Sequence, residues 1–290
     1  MGYMHIGNLY REQDILMFKE CYALEKIHGT SAHIHYHWDS KAIIYFSGGV
    51  NYNNFKSLFN EEVLLAGFST VQDGRNITVY GEAYGGSCQK MSATYGPNLK
   101  FVVFDIKIGD CWLCVPQAEA FTKTLGLEFV HYTKVYTAIE ALDSCRDADS
   151  VQAIRNGMGE GKKMEGVVLR PLIEVTDNRG NRIMAKHKRD EFRETASPRA
   201  VEDLAKLKVL QEADLIVQEW VTLERLKHVL DKLPQGISVE STGTVIMAMV
   251  EDVYREGKGE IVESEVVKKQ IGKKTAGMFK QYLNSKLKEL

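Results

Sequence analysis

The stretch LEKIHG, at residues 24–29, holds a lysine followed three positions later by a glycine. The amine of Lys26 could attack phosphorus and form a covalent bond, provided that neighbouring cations, a metal or desolvation favour a neutral amine. Gly29 would let the chain approach a phosphate closely. The spacing alone is unspecific. Four further Lys-x-x-Gly stretches begin at Lys123, Lys163, Lys269 and Lys274.

Other candidate residues lie on segments that alternate like strands. Residues two apart on a strand share a face and lie about 6.5 Å apart, so Lys186 and Lys188 of MAKHK present two ammonium groups side by side. That arrangement suits a polyphosphate. Glu82 of YGEAYGG and Glu165 of MEGVVLRP could serve as oxygen ligands for Mg²⁺ or as acceptors for a ribose. Phe104 of FVVFDI could offer a ring face to a base.

The elements that must position these residues are mostly strands. From Ser31 to Trp38 histidines alternate with apolar residues, which is the period of a half-buried strand. Further strands are predicted at KAIIYF, NITVYGEAYG, KFVVFDIKIG, MEGVVLRPLIEV and GNRIMAKHK, and a helix is predicted at VPQAEAFTKTLGL, ending at Gly126. We expect an α+β domain of packed, mainly antiparallel sheets with flanking helices over residues 1–195.

The pattern changes near residue 195. Ser197 is a good N-cap and Pro198 fits the first helical position, so TASPRAVEDLAKLKVL predicts a helix. A later helix should end at Pro234 and Gly236. Its apolar face consists of Leu223, Leu226, Leu230 and Leu233. We expect a smaller all-α domain over residues 196–290.

Composition restricts the class of protein. With 44% hydrophobic residues and a net charge of −2, the 290-residue chain resembles an ordinary soluble globular protein. No apolar run is long enough to span a membrane, and MGYMHIGNLYREQD carries charges where a signal peptide is apolar. The five scattered cysteines favour a reduced compartment. We expect a cytoplasmic protein, in a host cell if phage-encoded, that is neither secreted nor membrane-bound.

Basic residues cluster in two regions. Nine Lys or Arg stand against five acidic residues between Lys162 and Arg193, and seven Lys against one Glu from Val266 onward. Such runs are usually solvated surfaces, but two of them leave room for a polyanion such as a nucleic acid. The C-terminal lysines could be an ordinary helix face or a contact to a duplex backbone.

Three other patterns favour structural interpretations. Cys111 and Cys114 form a C-x-x-C without the second ligand pair of a zinc site. The triplet His33, His35 and His37 shares a strand face but is too spread out for one ion, so a polar or RNA-facing surface is expected. NGMGEGKK fails the phosphate-loop spacing and predicts a flexible loop.

Five segments in order now point to a family. Lys26–Gly29, YGEAYGG, FVVFDI, EGVVLRP and AKHK resemble the nucleotidyltransferase motifs of covalent-lysine ligases and capping enzymes. The chain is most similar to RNA ligases of the phage second family, relatives of the trypanosome RNA-editing ligases. His28 stands where DNA ligases usually have Asp, and the helical tail resembles that family's C-terminal domain, whereas DNA ligases and capping enzymes usually carry an OB-fold there.

The resemblance implies an ATP-dependent RNA ligase that works in three steps. Lys26 would attack the α-phosphate of ATP, release pyrophosphate and carry AMP. The AMP would pass to an RNA 5′-phosphate, and a 3′-hydroxyl would then displace it, sealing the strand. Mg²⁺ or Mn²⁺ would neutralise charge. We expect a monomer that acts on nicked duplex RNA.

The resemblance also assigns roles to residues. The catalytic group would be Lys26, Lys186, Lys188 and Glu165. The cofactor-binding group would be Glu25, Ile27, His28, Gly29, Glu82, Phe104 and Val168, with Glu82 on the ribose, Phe104 on adenine, Glu25 beside adenine and His28 active in later steps. The metal ligands would be Glu165 and Asp105, although Asp105 could instead be structural. The RNA contacts would be Ser31, Lys41, Lys268 and Lys269.

Two departures from the family pattern concern RNA. The phage enzyme has an arginine at or near the position of Phe46-Ser47, where YFSGGV has no basic residue, and Ser31 replaces an asparagine. Three alternatives stay open: a capping-type guanylyltransferase, a DNA ligase, and a catalytically inactive RNA-binding homologue. The intact charges at all five motifs argue against the last.

Overall fold

The computed structural model describes residues 2–71, 74–198, 200–201, 212–233 and 237–288. The chain divides into two compact units, Met1–Arg189 and Asp190–Leu290. The first contains two antiparallel sheets with helices and the second is helical, so the predicted α+β fold class is confirmed. In the described part of the chain, no helix is long and apolar enough to cross a membrane.

Strands and short helices make up the first unit. In chain order the strands are β1 (Glu20–Lys26), β2 (Thr30–His37), β3 (Ala42–Phe46), β4 (Ile77–Tyr84), β5 (Lys100–Ile108), β6 (Cys111–Trp112), β7 (Tyr132–Tyr136), β8 (Gly166–Pro171) and β9 (Ala185–Lys188). The helices are α1 (Tyr52–Lys56), α2 (Glu61–Phe68), α3 (Ser92–Tyr95), α4 (Val115–Thr124), α5 (Ile139–Arg146) and α6 (Val151–Arg155). All the strand segments and the helix that the sequence predicted for this unit are present.

The first sheet has the strand order β7-β1-β8-β9, with every pairing antiparallel. Lys26 lies opposite Gly166, and Gly166 lies opposite Lys188. Residues paired across antiparallel strands share a face. The two lysines therefore lie on the same face, separated by a residue without a side chain.

The second sheet has the order β3-β2-β4-β5-β6 and is also antiparallel throughout. The predicted alternation of β2 is confirmed, because Ala32, Ile34 and Tyr36 are fully buried. They pack towards the helices, where the ring of Tyr36 stacks on Phe68 at 4.8 Å. On the opposite face Ser31 lies across from Glu82.

A β-bulge interrupts the pairing of β4 with β5. Tyr80 lies opposite Asp105, but the next residue, Gly81, lies opposite Val103. Phe104 is thus the extra residue and has no partner in β4. A bulge of this kind bends the strand and re-aims the side chains beside it.

The second unit is built from α7 (Ala213–Trp220), α8 (Leu223–Asp231), α9 (Thr242–Glu256) and α10 (Glu265–Lys288). Leu226 and Leu230 of the predicted leucine face are buried in its core. Leu223 is 47% exposed, because it is the first residue of α8 and lies at the edge of that core.

The predicted helix after Ser197 does not begin there. Ser197 donates from its backbone nitrogen and its hydroxyl to Glu219, and neither it nor Pro198 is helical. Residues 200–201 are also non-helical. The remainder of that predicted helix, at 202–211, lies outside the described residues, as do Pro234 and Gly236.

Candidate active site

Glu165 is the centre of a charged cluster at the end of the first sheet. Its side chain is 4% exposed. The Lys26 Nζ donates to Glu165 Oε2 at 2.7 Å, and the Lys188 Nζ lies 3.0 Å from Oε1. The His28 Nδ1 is 3.2 Å from Oε2. Three of the predicted site residues thus converge on one carboxylate.

Electrostatics keep this carboxylate ionised. Burial alone would raise the pKa of Glu165, but the charges of Lys26 and Lys188 outweigh it and hold that pKa well below its usual range. The cluster is therefore an anion between two cations. A phosphate that reached the lysines could replace the carboxylate as their counter-ion.

Lys186 and Val168 lie on the same sheet face as Lys188, two residues further along β9 and β8. They are cross-strand neighbours, and Lys186 shares the face of Lys188, as the sequence predicted. The backbone of Lys186 is also bonded on its outer side, since its nitrogen donates to Gly7 O and its carbonyl accepts from Leu9 N, both at 2.8 Å. The N-terminal segment therefore continues the sheet beyond β9.

The loop that follows Lys26 is clamped onto the second sheet. The Gly29 nitrogen donates to Glu82 Oε1 at 3.1 Å, and the His28 nitrogen donates to the Tyr95 hydroxyl at 3.4 Å. A Cβ on Gly29 would lie 2.3 Å from the Ala83 carbonyl oxygen, so only glycine fits. Ile27, predicted to bind the cofactor, is buried in the core and anchors this loop.

Glu25 faces away from Lys26, because neighbouring residues of a strand point to opposite faces. Its carboxylate accepts from the Ser150 hydroxyl at 2.5 Å and from the Gln152 nitrogen at 3.0 Å. Burial raises the pKa of Glu25, against the lowering effect of these bonds. The structure thus places Glu25 as an anchor for α6, and its position beside adenine stays a prediction.

Asp105 is the centre of a buried ion-pair network. It is fully buried, and its two oxygens pair with Arg170 at 3.0 Å and Arg182 at 2.6 Å. The Tyr3 hydroxyl donates to the same carboxylate at 2.7 Å. A metal at Asp105 would have to displace two buried guanidinium groups, which favours the structural alternative, and the metal role of Asp105 stays a prediction.

Phe104 was predicted to stack on a base. Phe104 is partly buried, and its ring lies 4.9 Å from Tyr3. The neighbouring Phe101 is also partly buried and packs edge-on against Phe55 and Phe59, both at 5.4 Å. The stacking role of Phe104 stays a prediction.

The predicted RNA contacts lie in different places. Ser31 is exposed next to Glu82. Lys41 lies beyond β2, with its ammonium 3.5 Å from the centre of the Trp38 ring. Lys268 and Lys269 are exposed on α10, in the second unit. The positions of these four residues neither support nor contradict the predicted contacts with RNA.

The structure also locates the remaining sequence patterns. Among the described residues, no group of three or more His, Cys, Asp and Glu side chains could hold a metal ion. Within the histidine triplet, His35 bonds the Thr78 hydroxyl at 2.8 Å. All five cysteines are free. NGMGEGKK is a loop, as predicted.

Sequence reasoning missed four residues that support the predicted site residues. Tyr3, Arg170, Arg182 and Tyr95 each bond or pair with a motif residue. Arg170 gave one signal, because an arginine inside an apolar strand must find a buried counter-ion. The other three residues have no feature in the sequence that separates them from ordinary surface or core residues.

Comparisons with known proteins agree with this arrangement. A family model described as RNA ligase matches residues 19–188. No curated protein matches the chain in sequence. A mutant of the Naegleria gruberi RNA ligase solved with AMP and Mn is structurally similar, with a TM-score of 0.51 and 15% identity, over 66% of this chain and 57% of that chain. A second mutant of that ligase, solved with ATP and Mn, gives the same values. The chain thus spans little more than half the length of these ligases, and the likeness is one of fold.

Proposed function

Because the chain belongs to the RNA ligase family, we propose that it joins RNA ends with ATP, carrying AMP on Lys26. The observation that carries the proposal is the Lys26–Glu165–Lys188 cluster, with N–O distances of 2.7 and 3.0 Å. In this cluster the Lys26 amine, a second cation and a carboxylate that could hold a metal lie together, and the side chain of Glu165 is only 4% exposed.

The nucleotide would lie between the two sheets. We propose that Phe104 and Val168 bind adenine, that Glu82 accepts from the ribose, and that Lys186 and Lys188 hold the α-phosphate. The Naegleria ligase was solved with ATP or AMP and Mn, which supports ATP and a divalent cation as the cofactors here.

A divalent cation fits the donor set at the cluster. Mg²⁺ in nucleotide sites typically takes one or two carboxylates together with phosphate oxygens, and Glu165 provides one carboxylate next to Lys26. When bound, the cation would supply charge neutralisation at the α-phosphate. Glu165 would hold this cation beside the Lys26 amine, which lies 2.7 Å from the same carboxylate.

In the first step, the bond from Lys26 Nζ to the α-phosphorus would form while the bond from that phosphorus to pyrophosphate breaks, and the proton of the amine would pass to water. Lys186 and Lys188 would neutralise the charge that builds up on the phosphate oxygens. The AMP would then pass to the RNA 5′-phosphate, and the 3′-hydroxyl would displace it. His28, bonded to Glu165, would act in these later steps.

RNA recognition is the less constrained part of the proposal. We propose a nicked duplex as substrate, with Ser31 and Lys41 as contacts in an adenylyltransferase domain at residues 1–195. Lys268 and Lys269 would bind the backbone from a helical domain at 196–290. A helical rather than an OB-fold second unit and His28 in the motif favour the second phage family within the RNA ligases.

The decisive experiment measures the intact mass of the protein before and after incubation with ATP and Mg²⁺. We expect the wild type to gain the mass of one AMP and Lys26→Ala to gain none. Lys123→Ala is the matched control, because Lys123 begins another Lys-x-x-Gly stretch but is 69% exposed on α4. Its adduct should equal that of the wild type.

Three outcomes would redirect the assignment. An adduct with GTP alone would indicate a capping-type guanylyltransferase. Sealing of nicks only when DNA supplies the 3′-hydroxyl would indicate a DNA ligase. If the wild type stays unmodified with either nucleotide, the protein is a catalytically inactive homologue and the proposal fails.

A further inference from the structure

The N-terminal segment, residues 3–9, joins the two sheets of the first unit. At one end it pairs with β9, through the Gly7 carbonyl and the Leu9 nitrogen on the backbone of Lys186. At the other end the Tyr3 hydroxyl donates to Asp105 Oδ2 on β5. The segment thus connects a strand that carries a phosphate-binding candidate to the strand that carries the base-stacking candidate.

The ring of Tyr3 lies in an aromatic cluster that includes Phe104. Its centre is 4.9 Å from that of Phe104, at an interplanar angle of 74°, and 5.1 Å from that of Tyr80. Trp112 completes the cluster at 5.8 Å. Burial and the Asp105 carboxylate raise the pKa of Tyr3 well above its usual value, so the hydroxyl stays a donor.

Phe104 depends on contacts of this kind because it is the bulged residue of β5. The pairing skips it, since Asp105 lies opposite Tyr80 and Val103 lies opposite Gly81. A bulged residue has no cross-strand partner to fix its orientation. Its carbonyl accepts instead from Arg170 Nη1 at 3.3 Å, and its ring packs on Tyr3.

The hydroxyl of Tyr3 acts on the residue next to Phe104. The Asp105 carboxylate that it bonds also holds Arg170 at 3.0 Å and Arg182 at 2.6 Å. All three charged groups are at most 4% exposed. If the buried Asp105 carboxylate loses one hydrogen-bond donor, its ion pairing shifts between Arg170 and Arg182. Arg170 would carry that shift to the Phe104 carbonyl.

We infer that Tyr3 is a positioning residue for the nucleotide base: it orients Phe104 for stacking on adenine, through its ring and through Asp105. The inference rests on the proposed function, which gives Phe104 the adenine. Tyr3 itself need not touch the nucleotide. Its effect should therefore appear in ATP binding and should vanish when Phe104 is absent.

The test is a double-mutant cycle on lysyl-AMP formation, read as KM for ATP and kcat. Tyr3→Phe keeps the ring and removes only the hydroxyl, so it should fold. We expect it to raise KM roughly tenfold, as for loss of one bond to a charged group, with kcat changed less than about twofold. In a Phe104→Ala background the same change should raise KM no further.

Matched controls separate positioning from general stability. Tyr136→Phe removes the hydroxyl of a 59% exposed tyrosine on β7 and should leave KM unchanged. If Tyr3→Phe lowers Tm but leaves KM unchanged, or raises KM equally in both backgrounds, the inference is overturned while the proposed function stands. If the wild type forms no lysyl-AMP, the proposed function fails and the inference fails with it.

Discussion

Replacing Glu165 by glutamine should expose the energetic role of the charged cluster. The amide keeps the shape of the side chain but leaves the Lys26 and Lys188 ammonium groups close together without a counter-charge. Removing one partner of a buried ion pair typically costs about 3–5 kcal/mol. Lys26 is 24% exposed and can turn towards water, so we expect the lower end, about 3 kcal/mol.

That loss should be visible in thermal unfolding. For domains near the size of the 189-residue first unit, each 1 kcal/mol shifts Tm by about 2–4 °C. Glu165→Gln should therefore lower the Tm of this unit by about 6–12 °C at neutral pH. The matched control is Glu20→Gln, whose partner Lys134 lies at a similar 2.8 Å but on the surface. It should change Tm little.

The difference between wild type and Glu165→Gln should also depend on pH. The fold lowers the pKa of Glu165, so the carboxylate stabilises the protein fully above its unfolded pKa of about 4.3. That stabilisation is lost as the pH falls through the folded pKa. Circular dichroism melts from about pH 8 down to about pH 3 should show the two Tm values converging at the acid end. Equal shifts for Glu165→Gln and Glu20→Gln, or a gap that is constant with pH, would refute the reasoning.

Three further perturbations test other parts of the molecule. Gly29→Ala should lower Tm through an overpacking cost of about 1–3 kcal/mol, because the new Cβ would lie 2.3 Å from the β4 backbone. The control Gly243→Ala should leave Tm unchanged, because no atom lies within 4 Å of its Cβ. Arg225→Met should destabilise the second unit in urea by on the order of 3 kcal/mol, because Asp252, 2.6 Å away, stays buried. Lysyl-AMP formation should be unchanged. If it is lost, Arg225 takes part in the reaction. Burial lowers the pKa of His33 to about 4, so stability should decline as the pH falls from about 6.5 to about 4, and His33→Phe should remove that part of the decline. An NMR titration midpoint of His33 near its usual value would contradict the last expectation.

The sequence was sufficient for the parts of the site that depend on local geometry. Alternation along a strand places Lys186 and Lys188 on one face whatever lies around them. The turn after Lys26 needs glycine at position 29 because a side chain would strike β4, and that requirement is visible as a motif. Antiparallel pairing then brings Glu165 between the lysines.

The parts that could not be predicted depend on partners distant in sequence. Asp105 looks like an available carboxylate until Arg170, Arg182 and Tyr3 are brought to it, from 65 to 102 residues away. The helix start predicted at Ser197 was wrong because a distant partner replaced a local contact. Its capping preference is local, and a tertiary bond to Glu219 took its side chain instead.

Because Glu165 pairs with both Lys26 and Lys188, an anion that reaches these lysines must compete with a carboxylate. Any incoming ion must displace a carboxylate already seated at 2.7 and 3.0 Å, so a small anion such as chloride gains little by entering. A polyvalent anion could contact both ammonium groups at once. The Glu165 carboxylate would thus favour polyvalent over monovalent anions at this pair of lysines.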